Sequence, residues 1–191
     1  MAARTRVRKG VRAFDRSVDG MFGHLRGNPV ADRVFYGASA LGDHSLIWLL
    51  FAALRGLRSR HHITGTARAA AAIGAESVVV NGGIKTLFRR QRPLFEGVRP
   101  LHLRRPLTSS FPSGHATSAF CAAAMLGEGD PLKPVYYGVA MVVAWSRVYV
   151  KIHHASDVVG GIVVGAVLGR LARRLVHMPA VAGESRRYPK G

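Results

Sequence analysis

Five stretches of this chain are apolar along most of their length. No uninterrupted apolar run in them reaches the roughly 20 residues that a lone membrane-crossing helix needs. The stretches are residues 30–54, 64–88, 113–127, 134–150 and 155–176. None alternates apolar and polar residues over a useful length, so strands are not expected. Gly and Ala are frequent within them, which suits close packing of helices. The expected fold is all-α: an integral membrane bundle of about five to six spanning helices, some lengthened by polar ends that face the protein interior. Gly42-Asp43 should kink the first span, Glu76 and Asn81 are embedded in the second, and the EGDPLK segment makes a polar turn after the third.

The ends differ from the middle. Val11, Phe14, Val18, Phe22 and Leu25 recur at helical spacing, while Arg12, Arg16, Asp19 and Arg26 mostly take other positions. Residues 1–28 therefore read as a basic amphipathic helix, suited to a membrane interface or to a protein surface. Asn28-Pro29 should break it and restart the chain as a new helix. The first residues resemble the start of a signal peptide, but no apolar core follows them, so a cleaved signal is not expected. Residues 29–176 form the membrane domain, and 177–191 are expected to be a flexible basic tail. A formal net charge of +18 alone would suggest a nucleic-acid binder, but 48% hydrophobic content does not fit one. Basic ends on apolar helices fit a membrane protein facing anionic headgroups. Cys121 is the single cysteine, so no intrachain disulfide or cysteine cluster is possible.

Three polar motifs interrupt the apolar pattern. In the first, Lys85 and Arg92 are seven residues apart, two helical turns, and Pro93 follows. Two cations on one face at a helix end can grip an oxyanion, although a basic membrane boundary has the same look. The second is Ser109-Ser110-Phe111-Pro112-Ser113-Gly114-His115, leading into an apolar helix. Free amides at a helix start, the Ser113 hydroxyl and the small Gly114 make a phosphate cradle, with His115 beside it. A capped helix with an incidental histidine reads equally well. The third runs from Ser146-Arg147 to His153-His154 and Asp157. His153 and Asp157 are four apart, so on a helix the carboxylate would orient the imidazole. His154 points elsewhere and reads as an exposed polar residue. Buried Arg, His and Asp near a membrane default to functional roles.

Taken in order, these residues resemble the type-2 phosphatidic acid phosphatase superfamily. The pattern Lys-x6-Arg-Pro, Pro-Ser-Gly-His and Ser-Arg-x5-His-x3-Asp is met by Lys85, Arg92-Pro93, Pro112 to His115, and Ser146-Arg147 through His153 to Asp157. The resemblance covers about 64–176, and the first sixty residues add little to it. It implies a lipid phosphatase in which His153 attacks phosphorus and Asp157 holds its tautomer. His115 would act as acid and then base, while Lys85, Arg92, Arg147, Ser113 and Gly114 hold the phosphate oxygens. No cofactor and no metal are expected. The expected partners are a lipid phosphate and membrane lipids, not nucleic acid.

The loop 94–110 carries Arg99, His102, Arg104 and Arg105 against Glu96. It would close over a headgroup, meet a second phosphate, or simply face anionic lipid. The motif loops should share one membrane face. The bases Arg55, Arg58, Arg60, Arg170, Arg173 and Arg174 would mark the other as cytoplasmic, leaving the site outward. The basic N-terminus conflicts with this for an odd number of spans. Rival readings are a vanadium haloperoxidase or soluble acid phosphatase of the same superfamily, and more distantly a nucleic-acid-binding protein.

Overall fold

In a computed structural model the chain is described at residues 2–58, 60–95, 99–101, 103 and 107–175, with the side chains of residues 2–4, 58 and 60–64 excluded. Glu96, His102, Arg104, Arg105, the tail 177–191 and the side chains of Arg58 and Arg60 therefore lie outside the described residues. The seven α-helices among the described residues are α1 (Ala2–Gly23), α2 (Pro29–Leu41), α3 (Leu46–Arg58), α4 (Arg60–Val78), α5 (Gly114–Leu126), α6 (Lys133–Tyr149) and α7 (Ala155–Leu175). No strand occurs among the described residues.

Local chemistry sets the boundaries. Asn28 caps α2, its side chain accepting from Val30 and Ala31 amides, and Pro29 occupies the first helical position. The expected kink is a bend of 69° between α2 and the following Asp43–Leu57 segment. There His44 and Ser45 adopt left-handed φ values of 52° and 60°. The second expected span ends earlier as an α-helix than the pattern suggested. After Val78 it passes into a π-turn at Val79–Gly83 and a 3-10 turn at Ile84–Leu87. The Asn81-Gly82-Gly83 sequence disfavours continued α-helix there.

A helix stands at each of the five expected spans. By length and composition, only α7 is apolar enough among the described residues to cross a membrane unaided, and the bent α2–α3 pair passes only when joined. The others fall short for physical reasons. Helix α5 has 13 residues, and ten of them are buried inside the bundle. It is the central element, flanked by α4, α6 and α7. The largest core cluster includes Trp48, Ile73, Phe120, Leu126, Tyr136 and Val158. A second gathers Tyr36, Leu103, Tyr149, Val150 and Ile152, with Phe22 and Phe35 packed on it. Helix α1 thus docks through Phe22 on the bundle beside the loop that follows α6.

Helices α5 and α7 approach so closely because α7 carries Gly161, Gly165 and Gly169 one turn apart. A methyl group on Gly161 would stand 2.6 Å from the Ser113 carbonyl oxygen, and one on Gly169 would meet the Ala124 methyl at 2.8 Å. Gly165 is tighter still, against the Thr117 backbone. Small residues at this spacing let two helix backbones touch, giving dense dispersion contact. Gly165→Leu is expected to lower stability by at least about 1–3 kcal/mol, the usual cost of overpacking. A thermal melt in detergent measures this; an unchanged midpoint would show the seam to be loose.

Candidate active site

The three motifs meet at the end of α5, around Asp157. This carboxylate is wholly buried. Its Oδ2 accepts the Ser110 hydroxyl at 2.5 Å and the His154 amide at 2.8 Å. Its Oδ1 accepts Arg90 Nη1 at 2.7 Å. Its backbone carbonyl accepts the Ser113 amide at 3.0 Å. One residue of the third motif therefore anchors side chains or backbone from the other two.

His153 is 3% exposed and lies just before α7, not on it. The helical i, i+4 relation expected from sequence is replaced by a turn. Lys151 takes a left-handed φ of 55°, and the Ile152 and His153 amides both bond the Arg147 carbonyl, at 3.1 and 3.0 Å. The two side chains still face each other, but at 3.7 Å from Nδ1 to Oδ2. Ser110 Oγ stands between them, 3.5 Å from Nδ1. On the far side of the ring, Arg92 Nη1 donates to Nε2 at 3.0 Å. An arginine cannot accept, so Nε2 carries the lone pair and Nδ1 the proton. Burial, reinforced by the Arg147 and Arg92 charges and opposed by Asp157, pushes the imidazole down to about 3. The ring is neutral at physiological pH.

Arg92 also departs from the helical expectation. It sits in the extended segment after Leu87, and its guanidinium is held by the carbonyls of Ile152, Thr108 and Ser109 at 3.2, 3.1 and 3.2 Å. Lys85 is buried in the 3-10 turn. Its ammonium lies over Gly114, where an added methyl would meet Nζ at 3.3 Å. Ser113 caps α5, accepting the Ala116 amide at 3.5 Å, and His115 follows in the first turn. Arg147 is 1% exposed. Its Nη1 donates to Ser39 Oγ, while Nε and Nη2 are buried with no hydrogen-bond partner among the described residues. A buried guanidinium edge left open is costly without an anion to fill it. All eight expected residues thus belong to one locality.

The structure adds residues that sequence reasoning had not assigned. Ser110 and Arg90 both lie inside the quoted motifs, yet only the fold turns them onto Asp157. Arg90 also reaches Asp15 on α1 at 2.5 Å, and Asp15 accepts the Ser156 amide and hydroxyl at 2.8 and 2.7 Å. An open groove of about 830 Å³ runs beside the site between α1 and the 88–91 segment, lined partly by Arg8, Arg12, Arg16, Phe88, Arg89 and Phe111. His154 borders this groove and contributes its amide to Asp157. Arg99, from the 94–110 loop, turns inward to the Val150 and Lys151 carbonyls at 3.2 and 3.4 Å. No three His, Cys, Asp or Glu side chains among the described residues are grouped to hold a metal ion. The cations present are Lys85, Arg92 and Arg147, a set that suits a tetrahedral oxyanion.

The chain is similar in sequence and fold to known proteins. Residues 65–179 match the family model of the PAP2 superfamily. The chain is 34% identical over 136 residues to the decaprenylphosphoryl-5-phosphoribose phosphatase of Mycobacterium tuberculosis, covering 71% of this chain and 75% of that one. Among solved structures, its fold is similar to that of a transmembrane PAP2-type phosphatidylglycerolphosphate phosphatase from Bacillus subtilis. That match has a TM-score of 0.63 and 22% identity, over 89% of this chain and 86% of the other. LpxE of Aquifex aeolicus gives a TM-score of 0.65 and 24% identity, over 85% and 93% of the two chains.

Replacing Arg147 by Met should separate binding from folding. An apolar side chain of similar length removes the desolvation cost of the buried charge, so thermal stability should hold or rise. Affinity for inorganic phosphate should fall tenfold or more, about 1.4 kcal/mol. Unchanged phosphate affinity by calorimetry would rule the open guanidinium edge out as an anion site.

Proposed function

The chain belongs to the PAP2 superfamily, and from that premise we propose that it is a membrane phosphatase acting on the phosphate ester of a lipid through a phosphohistidine. The observation that carries this reading is the buried His153, with its Nε2 facing Arg92 at 3.0 Å inside a cluster of three buried cations.

Bound phosphate takes the place where Lys85, Arg92 and Arg147 converge, with the Ser113 hydroxyl and the Gly114 amide completing the cradle. His153 Nε2 attacks phosphorus in line, and the bond to the lipid oxygen breaks. His115 gives its proton to that oxygen, so a monoester leaves as the neutral alcohol and a diphosphate as the lipid monophosphate. Asp157, through its charge and through Ser110, stabilises the cationic ring that carries the phosphoryl group. Water then attacks the phosphohistidine, His115 takes its proton, and inorganic phosphate leaves with His153 restored. Protein cations neutralise the equatorial oxygens throughout, which is electrostatic preorganisation in a dry site. The mechanism calls for no metal.

The substrate we favour is a polyprenyl carrier lipid, a phosphate, diphosphate or phosphosugar. The 34% identical relative is named for a decaprenyl phosphosugar. The groove beside α1 has the right mixture for such a molecule, with arginines for a phosphate and Val7, Val11, Phe88 and Phe111 for a chain. In this reading α1 lies along the membrane interface, the joined α2–α3 pair and the later helices cross it, and the site opens outward.

Purified protein in detergent, supplied with a panel of lipid phosphates, should release phosphate, and a polyprenyl substrate should be turned over fastest. His153→Ala should lose at least about 10⁴-fold in turnover, as expected when covalent catalysis is removed, while its melting midpoint stays near that of the parent. Retained activity in that folded variant would exclude the phosphohistidine route.

A further inference from the structure

The second histidine has a carboxylate of its own, supplied by a part of the chain that the family match does not cover. His115 Nε2 is 2.9 Å from Asp43 Oδ1. The oxygen lies off the ideal N–H axis, and Nε2 has no hydrogen-bond partner of good geometry among the described residues. Nε2 is also shut off from solvent, so Asp43 is the acidic group this edge of the ring meets. The other ring nitrogen, Nδ1, is then the one left for a substrate.

The backbone around Asp43 is built for this approach. Asp43 sits in the break between α2 and α3, followed by His44 and Ser45 with φ of 52° and 60°. Non-glycine residues in that region cost on the order of 1 kcal/mol each, and such costs persist where the surrounding structure holds them. Gly42 lets the break lie against the imidazole. A methyl group there would stand 2.8 Å from His115 Cδ2 and 2.9 Å from a Val143 methyl. One turn earlier, Ser39 takes a hydrogen bond from Arg147. The segment 39–43 therefore touches both the acid–base histidine and a phosphate-binding arginine, although it precedes residue 65, where the family match begins.

We infer that Asp43 is a positioning residue for His115, holding the Nε2 proton and supporting the imidazolium form from which Nδ1 donates to the leaving oxygen. The inference rests on the phosphatase reading above. It makes the site a pair of aspartate–histidine couples, Asp157 with His153 and Asp43 with His115, serving the nucleophile and the acid. Charged groups facing His115 are Asp43 from the break and Arg147 from α6, and of these two only the Asp43 carboxylate has the sign that favours a protonated ring.

The test compares two leaving groups. An alkyl phosphate needs its oxygen protonated as it departs, whereas p-nitrophenolate leaves without a proton. Asp43→Asn should lose about 10²-fold in kcat/KM on the alkyl ester, which reports the transfer to His153, on the scale of general acid catalysis. On p-nitrophenyl phosphate the loss in kcat/KM should stay below about threefold. Asp43→Glu should recover most of the alkyl-ester rate. In a His115→Ala background, Asp43→Asn should cost nothing further. Equal losses on the two esters, or losses at 43 and 115 that add, would overturn the role for Asp43. Should the Asn variant not fold, Asp43→Glu carries the same comparison, and an equal loss on both esters is again decisive against it. A parent protein inactive on every phosphate ester would instead bring down the phosphatase reading and this inference with it.

Discussion

Asp157 offers four acceptor contacts in a place where water cannot compete, and the rest of the site hangs from them. Ser110 and Ser113 bring the second motif to it, Arg90 the first, and the His154 amide closes the turn that carries His153. A buried carboxylate without such partners would be severely destabilising. The same demand that makes Asp157 tolerable therefore also gathers three segments far apart in the chain. The glycine seam of α7 makes this possible, because Asp157 reaches the start of α5 only where the two helix backbones can touch.

The positive charges follow a different logic. Arg92 is held by three backbone carbonyls, with one nitrogen on His153. Arg147 keeps an edge open. Lys85 stands over the helix start at Gly114. Three cations so placed repel one another until an anion arrives, and that stored repulsion favours binding a phosphate whose charge is spread over several oxygens. A site of this kind exchanges some folding stability for preorganisation.

The first sixty residues give the sequence pattern little to hold on to, yet Asp15, Ser39 and Asp43 all reach residues of the site. Their contacts come from three local devices: a docked amphipathic helix, a serine one turn before a break, and a break containing two left-handed residues. Each depends on tertiary placement. The amphipathic pattern of α1 identified an apolar face but not its partner, and Phe22 packing on Tyr149 and Phe35 supplies it.

Sequence alone determined the helical class, the near-correct ends of α2, α5, α6 and α7, and the eight residues that meet in the site. These are legible because periodicity, Asn28 and Ser113 caps, Pro29 and the motif spacings act over a few residues. It did not determine how Lys85 to Arg92 and His153 to Asp157 reach their places. Helical spacing put each pair on one helix face, whereas the chain leaves α-geometry at Val79 and turns at Lys151. Both departures are stabilised by groups distant in sequence, including the carbonyls that hold Arg92 and the serine between His153 and Asp157. Only the tertiary structure decided those partners, because a buried polar group is satisfied by whatever the fold brings within about 3 Å, and sequence spacing does not encode that distance.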